Sequence, residues 1–454
     1  MTNRRIKPRQ CLHRTTYMRG IMTNHLFLFT NDLRLDDNWA LQAAAAQSQR
    51  LALAYLFDDN ECVADFSDCR FTGNMRLNFI RQALRQLQTQ LKKFDQHLHI
   101  VSSHGVSALI EFIERHQITT LFCSTPAASN EQRKLAFIVK RTGVTLHSVD
   151  QTTLQAATDL PFSIAELPQT FSAFRRKVEK QDLNIQACIK LISLPPPVAP
   201  KGDDDMRTAN TLSSVEYATN GAAVLNDYFK TKRALTYKQT RNALDDEAAS
   251  TRFSPLLANG LVSARQIWWA LKTFEQNQQA NESTYWIGFE LLWRDYFYWL
   301  LAKHKDRFFK FTGITGKRPL TSFHPQRFKA FCSGQTPSAL VNAAVNQLNA
   351  TGYLSNRARQ IVASYFVNEL QLDWRFGAKF FQMQLIDYDV AANWGNWQYI
   401  AGVGCDPRQG RHFNIAKQQQ LYDPDGHYIK RWRGQSYRQT LDSDMVDWPQ
   451  LQAR

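Results

Sequence analysis

His25-Leu-Phe-Leu-Phe29 and Leu51-Ala-Leu-Ala-Tyr-Leu-Phe57 are apolar runs rich in strand formers and too short for buried helices. Leu98-His-Ile-Val101, Thr120-Leu-Phe-Cys123 and Thr145-Leu-His-Ser-Val149 repeat the pattern. Helical patterns lie between them, and the clearest carries Ile80, Ala83, Leu84, Leu87 and Leu91 on one face. Strands alternating with helices need right-handed crossovers. Residues 23–150 are therefore expected to be an α/β domain on a doubly wound parallel sheet.

Outward from this block the pattern changes. Residues 151–220, with Leu194-Pro-Pro-Pro197 and Lys201-Gly-Asp-Asp-Asp205, read as an inter-domain connector running over the surface. It is too long to be wholly structureless, so part of it should pack. Residues 221–435 carry mostly helical patterns and are expected to form an all-α domain, with 436–454 as a tail. Ten of the eleven tryptophans lie at Trp268 or later. Such a domain either encloses a large planar ligand or has a tryptophan-rich core.

The 454 residues carry 55 Lys and Arg against 40 Asp and Glu, a net charge of +15. That surplus suits a polyanion, nucleic acid being the usual one, although a solvated basic surface would look the same. Seven scattered cysteines, Cys11, Cys62, Cys69, Cys123, Cys188, Cys332 and Cys405, form no CxxC. This argues for a reducing compartment and against zinc, disulfide staples and iron–sulfur clusters. No apolar run is long enough for a membrane span. Residues 1–22 are basic without an acidic residue. They read as a disordered extension with Met22 as the natural start, or alternatively as organellar targeting. A cytoplasmic monomer is the expectation.

Several motifs allow two readings. Ser250-Thr-Arg-Phe-Ser-Pro255 offers hydroxyls and backbone N–H groups ahead of a helix, which would suit a pyrophosphate or a plain cap. In Glu290-Leu-Leu-Trp-Arg-Asp-Tyr-Phe297, the residues Glu290, Trp293, Arg294 and Phe297 share one helical face. Glu290 and Arg294 could be a solvated i,i+4 pair, but the apolar flanks argue for partial burial. Leu354-Ser-Asn-Arg-Ala-Arg-Gln360 opens a helix striped by Ile361, Tyr365 and Leu370, with Ser355-Asn356 a possible cap. Asp387 and Asp389 could suggest a metal, but no third ligand lies nearby, so none is assigned.

The stretch Tyr388-Asp-Val-Ala-Ala-Asn-Trp-Gly-Asn-Trp-Gln-Tyr-Ile-Ala-Gly-Val-Gly404, followed by Cys405-Asp-Pro-Arg408, resembles the cryptochrome/photolyase family. Its Asn-Trp-Gly-Asn-Trp core is similar to the cryptochrome DASH branch, and the likeness runs from His25 to about Trp432. It implies FAD held in the helical domain. Tyr237, Ser250, Thr251, Arg252, Phe253 and Ser254 would serve the phosphates. Glu290, Arg294, Asn356, Arg359, Asp387, Asp389 and Asn393 would serve the rest, with Arg359 paired to Asp387 and Asn393 facing N5. Glu290, Trp293 and Tyr399 would meet damaged bases, and Arg357 the DNA backbone. Trp397 and Trp374 match the inner two members of an electron relay whose outermost position is Thr321.

The resemblance further implies blue-light repair of cyclobutane pyrimidine dimers by a carbon–carbon lyase. Tyr399 replaces a tryptophan of the usual base clamp, which points to UV-damaged single-stranded or looped DNA. RNA is a further partner to consider. A light-sensing regulatory flavoprotein is the alternative. Asn31-Asp-Leu-Arg-Leu-Asp-Asp-Asn38 matches the family's start and reads as a fold and domain-interface segment. The family's antenna, commonly 5,10-methenyltetrahydrofolate, uses an acid just upstream of Glu131, but Ser124–Asn130 has no carboxylate. The family's Gly-x-Thr-Gly-x-Pro-x-Val-Asp-Ala is eroded to Gly334-Gln-Thr-Pro-Ser-Ala-Leu-Val-Asn-Ala343, with Val345-Asn346 in place of Met-Arg. Either compensation or decay should follow there.

Overall fold

The computed structural model describes residues 23–57, 70–101, 105–181, 183–198, 215–408 and 410–438. The basic extension 1–22, the run 201–205, tail residues 439–454, and Cys11, Cys62 and Cys69 lie outside the described residues.

Five parallel strands, β1 (Asn24–Phe29), β2 (Arg50–Leu56), β3 (Leu98–Val101), β4 (Ile118–Ser124) and β5 (Thr145–Val149), form one sheet in the order β3-β2-β1-β4-β5. The order reverses between β1 and β4, which opens a crevice beyond their carboxyl ends. The central strands β1 and β2 are near-continuous apolar runs because both faces are covered, whereas the edge strand β5 is largely exposed and carries Thr145, His147 and Ser148. The chain adds α1 (Trp39–Gln47), α2 (Asn74–Leu91), α3 (Val106–Arg115) and α4 (Ser129–Thr142). On one face, Ile80, Ala83, Leu84, Leu87 and Leu91 of α2 join Phe27, Phe29, Leu51 and Leu53. On the other, Leu109, Ile113, Leu135 and Ile138 of α3 and α4 meet Leu26, Leu28, Ala52 and Ala54. Each of these Leu, Ile and Phe side chains contributes about 1.5–3 kcal/mol on leaving water.

The segment after β5 carries α5 (Phe171–Lys180) and buries Leu154, Leu167, Phe171, Phe174 and Val178 in the same core as the helical domain. That domain comprises α6 (Gly221–Lys230), α7 (Tyr237–Thr240), α8 (Ser254–Ala258), α9 (Ala264–Asn277), α10 (Glu282–His304) and α11 (Pro325–Cys332). It continues with α12 (Ala339–Thr351), α13 (Asn356–Asn368), α14 (Trp374–Gln384), α15 (Val390–Ala401), α16 (Ile415–Tyr422) and α17 (His427–Arg431). α10 is capped by Asn281 and buried on most of its circumference, so it runs through the domain's centre. Among the described residues no helix is long and apolar enough to cross a membrane.

The Asn31–Asn38 segment joins the two halves. Asp37 is fully buried, pairs with Arg265 at 3.0 Å and accepts from Ser263 Oγ at 2.5 Å. Arg34 donates to the carbonyls of Asp37 and Gly260. Gly260 sits at φ +66°, and a Cβ there would lie 2.1 Å from the Asn31 carbonyl oxygen. Only a bare backbone allows the halves to come that close.

The eroded segment is compensated. Asn342 accepts from the backbone N–H and hydroxyl of Thr336, and its amide donates to the Thr336 and Gln435 carbonyls. Asn346 donates to the carbonyl of Trp432 at 3.0 Å. The two substituted amides tie α12 to the chain's last described turn.

Candidate active site

α7, α8, α10, α13 and α15 enclose a cavity of about 590 Å³, within the range of ligand pockets. Tyr237, Ser250, Thr251, Phe253 and Ser254 line one part of it. Ser250 Oγ accepts from the Arg252 N–H at 3.3 Å, and Thr251 Oγ1 from the Phe253 N–H at 3.4 Å. The helix-cap reading of Ser254 is not what forms: Phe253 is the N-cap of α8, with no side-chain cap bond. Arg252, at φ 54°, is outside the lining, paired with Glu247 and lying over the Tyr353 ring at 4.3 Å.

The opposite wall is charged. Arg359 donates to Asp387 at 2.7 Å and to the Leu354 carbonyl at 2.9 Å. Ser355 caps α13, which sets Asn356 on the cavity wall. Asp389 caps α15, accepting from the Ala392 N–H at 2.9 Å, and faces Arg294 at 3.6 Å. Asn393 donates to the Ala378 carbonyl at 3.0 Å, which fixes its amide at the wall.

Glu290 and Arg294 do not pair with each other. Glu290 pairs with Arg241, while Arg294 donates to the Thr152 carbonyl at 2.6 Å. Burial raises the Glu290 carboxyl above the ordinary range, and Arg241 pulls it the other way. Two buried polar atoms, Oδ1 of Asp387 and Nε of Arg294, have no protein partner. Both residues line the cavity, so a polar ligand that accepts and donates there fits better than an empty apolar pocket. Hydroxyls and an uncapped helix start on one side, with carboxylates, guanidinium and amide on the other, suit a dinucleotide with a polar ring system.

Trp293 stacks on Phe171, with centroids 3.8 Å apart, and on Phe297 at 5.4 Å. Tyr399 meets Trp293 edge-on at 6.0 Å and 90°, and its hydroxyl receives Arg411 at 2.5 Å. Trp397 also lines the cavity, between Phe366 and Phe381. Trp374 lies outside the lining, fully buried, with its indole N–H on the Phe311 carbonyl at 3.0 Å. Arg357 is outside it too, over the Tyr422 ring at 4.9 Å and bonded to Asn242.

Arg241, Trp286, Tyr353 and Phe171 were not singled out from sequence. Arg241 stands one turn after Tyr237 and Trp286 one turn before Glu290, so helical spacing could have found both. Nothing in sequence could have placed Phe171 on Trp293, across more than a hundred residues. A second cavity of about 480 Å³ occupies the crevice at the β1/β4 switch. Glu131, Arg76 and Arg133 bring charges to its wall, and Trp394 and Tyr388 bring rings.

Residues 286–445 match the family described as FAD binding domain of DNA photolyase, and residues 25–198 match the family described as DNA photolyase. A cryptochrome DASH of Idiomarina loihiensis is 46% identical over 93% of this chain and 96% of its own length. One from Vibrio parahaemolyticus is 44% identical with the same coverage. The crystal structure of a Synechocystis cryptochrome superposes with a TM-score of 0.81 at 35% identity, covering 91% of this chain and 89% of its own. The five-stranded parallel sheet, the helical FAD-binding domain and these relatives agree: the chain belongs to the cryptochrome/photolyase family and is similar to its cryptochrome DASH members.

Proposed function

We propose that this chain is a light-driven DNA photolyase that splits cyclobutane pyrimidine dimers, preferring single-stranded or looped DNA. The observation that carries the reading is that one cavity holds both halves of the chemistry. Trp293 and Tyr399, crossed at 90°, share it with Asp387, Arg359, Arg294 and Asn393.

The residues that would hold FAD are Ser250, Thr251 and Tyr237 toward its phosphates, and Asp387, Arg359, Arg294, Asn356 and Asn393 toward its rings. When bound, the flavin supplies the photoexcited electron donor for ring opening. The protein's part is placement. Trp293 and Tyr399 offer two perpendicular walls for a flipped-out dimer. Glu290, held by Arg241 on the same cavity, presents a carboxyl group to the hydrogen-bonding edge of a pyrimidine. The chain's surplus of positive charge draws in the phosphodiester backbone.

A dimer must leave its stack to enter, at a cost of a few kcal/mol that is least in a single strand. Stacking on an aromatic is worth roughly 1–3 kcal/mol per base, and Tyr399 offers less ring than a tryptophan. The balance therefore favours unpaired DNA. The test is repair under blue light of matched single-stranded and duplex oligonucleotides carrying one dimer. Light-dependent repair, much faster on the single strand, is expected. Protein carrying stoichiometric FAD that repairs neither would reject the proposal in favour of a light-sensing flavoprotein.

A further inference from the structure

We infer that Trp394 is the outer terminus of the electron relay, so that the path runs Trp397, Trp374, Trp394 and opens on the domain-interface cavity. The inference rests on the flavin reading above. Thr321 stands where an outer tryptophan would, and a threonine cannot be oxidised in that role. Its neighbour Phe323 is stacked on Phe376 at 4.0 Å, and a phenyl ring is a poor donor. Trp374 is itself fully buried, so no reductant can reach it directly.

The packing of α14 on α15 supplies another way out. The Trp397 ring lies over bare Gly377, one turn along α14 from Trp374. Trp374 and Trp394 are edge to face, with centroids 5.6 Å apart at 82°. Trp394 is 9% exposed and lines the interface cavity. Beyond it lies Tyr388, whose hydroxyl accepts the Trp394 indole N–H at 3.3 Å. Positive charge does not move on to Tyr388. Arg76 sits over that ring at 4.5 Å, and the phenol donates to Gln382, a neutral amide that cannot take its proton.

The electron count closes. Trp397 gives one electron to the photoexcited oxidised flavin, Trp374 refills Trp397, and Trp394 refills Trp374. One positive hole is left on Trp394, whose indole N–H stays hydrogen-bonded to the Tyr388 hydroxyl. A small thiol entering the cavity then returns one electron to Trp394, releases its own proton to solvent and becomes a thiyl radical.

The experiment uses the full chain with FAD bound. Flash absorption reads the lifetime of the light-induced radical pair in wild type, Trp394→Phe and Trp374→Phe. Peptide mass spectrometry maps indole oxidation in wild type after illumination without thiol. The expected result is a radical pair several-fold shorter-lived in Trp394→Phe, with oxidation in wild type at Trp394. An unchanged lifetime in Trp394→Phe beside a shortened one in Trp374→Phe would overturn the assignment and leave the flavin reading standing. Oxidation mapped elsewhere on the chain would also overturn it. Protein that purifies without FAD would overturn the flavin reading, and this inference with it.

Discussion

Trp293 lies flat on Phe171, with centroids 3.8 Å and planes 13° apart, so one face of the candidate base platform is already occupied by a residue of the inter-domain segment. A ring held this way, with Phe297 stacked on it as well, loses little freedom when a base docks against its exposed edge. Trp293→Ala should weaken binding of dimer-containing single strands by roughly 1–3 kcal/mol, while undamaged strands lose much less. Phe171→Ala, which frees the ring without removing it, should cost less than Trp293→Ala. Fluorescence titration at fixed salt measures both. Equal losses for damaged and undamaged DNA would remove Trp293 from the recognition of the lesion.

The Arg359–Asp387 pair is asymmetric, with the Arg359 side chain 24% exposed and that of Asp387 1% exposed. Asp387→Ala leaves a guanidinium on the cavity wall without its partner. Breaking a buried pair costs about 3–5 kcal/mol, and the partial exposure of Arg359 places this one at or below the low end. The variant should purify with less flavin per chain and melt at a lower temperature. Adding FAD should recover part of the loss by mass action. A flavin-to-protein absorbance ratio equal to wild type would show that Asp387 does not hold the cofactor.

The central strands were legible because burial on both faces demands unbroken apolar runs, and the exposed edge strand because a short extended run follows a helical pattern. Leu98–Val101 and Thr145–Val149 have the very bounds their residues imply. The charged wall was legible only through family likeness, because Arg359 and Asp387 are 28 positions apart and no local pattern joins them. The spacing of Glu290 and Arg294 suggested a pair that tertiary structure splits, since Arg241, just after α7, and the Thr152 carbonyl offer each a better partner. Residues 334–346 showed lost positions and not their replacement. The bonds of Asn342 and Asn346 run to a segment about ninety residues later.

Asp295 gives stability a pH dependence. Burial raises its carboxyl from 3.8 to about 7, with Arg294 and the Leu154 N–H pulling the other way. The folded value lies above the unfolded one. The contribution is therefore fully present below 3.8 and lost as pH rises through about 7. Over that window this residue alone removes up to about 4 kcal/mol. Asp295→Asn keeps an oxygen for the Leu154 N–H and cannot ionise, so its melting temperature should fall less steeply over the same range. Parallel melting curves for the two proteins across that window would show that Asp295 is not the group responsible.

Gly377 couples helix packing to cofactor binding. A Cβ built there would lie 2.3 Å from Cη2 and 2.4 Å from Cζ3 of Trp397, closer than real atoms come. The indole cannot slide sideways, because Phe366 and Phe381 stand against it at 5.4 and 5.1 Å. Its remaining free side is the cavity it lines. Gly377→Ala should therefore push Trp397 into the space a flavin needs. Overpacking of this kind costs about 1–3 kcal/mol of stability, and here the larger effect should fall on cofactor occupancy. Gly143→Ala is the control. It sits at φ +71° with nothing within 4 Å of the added carbon, so it pays only backbone strain of about 1 kcal/mol and should keep its flavin. The measurements are bound flavin per chain and melting temperature with and without added FAD. If Gly377→Ala binds FAD as wild type does while melting lower, the indole has moved elsewhere, and Trp397 does not form the wall that contacts the cofactor.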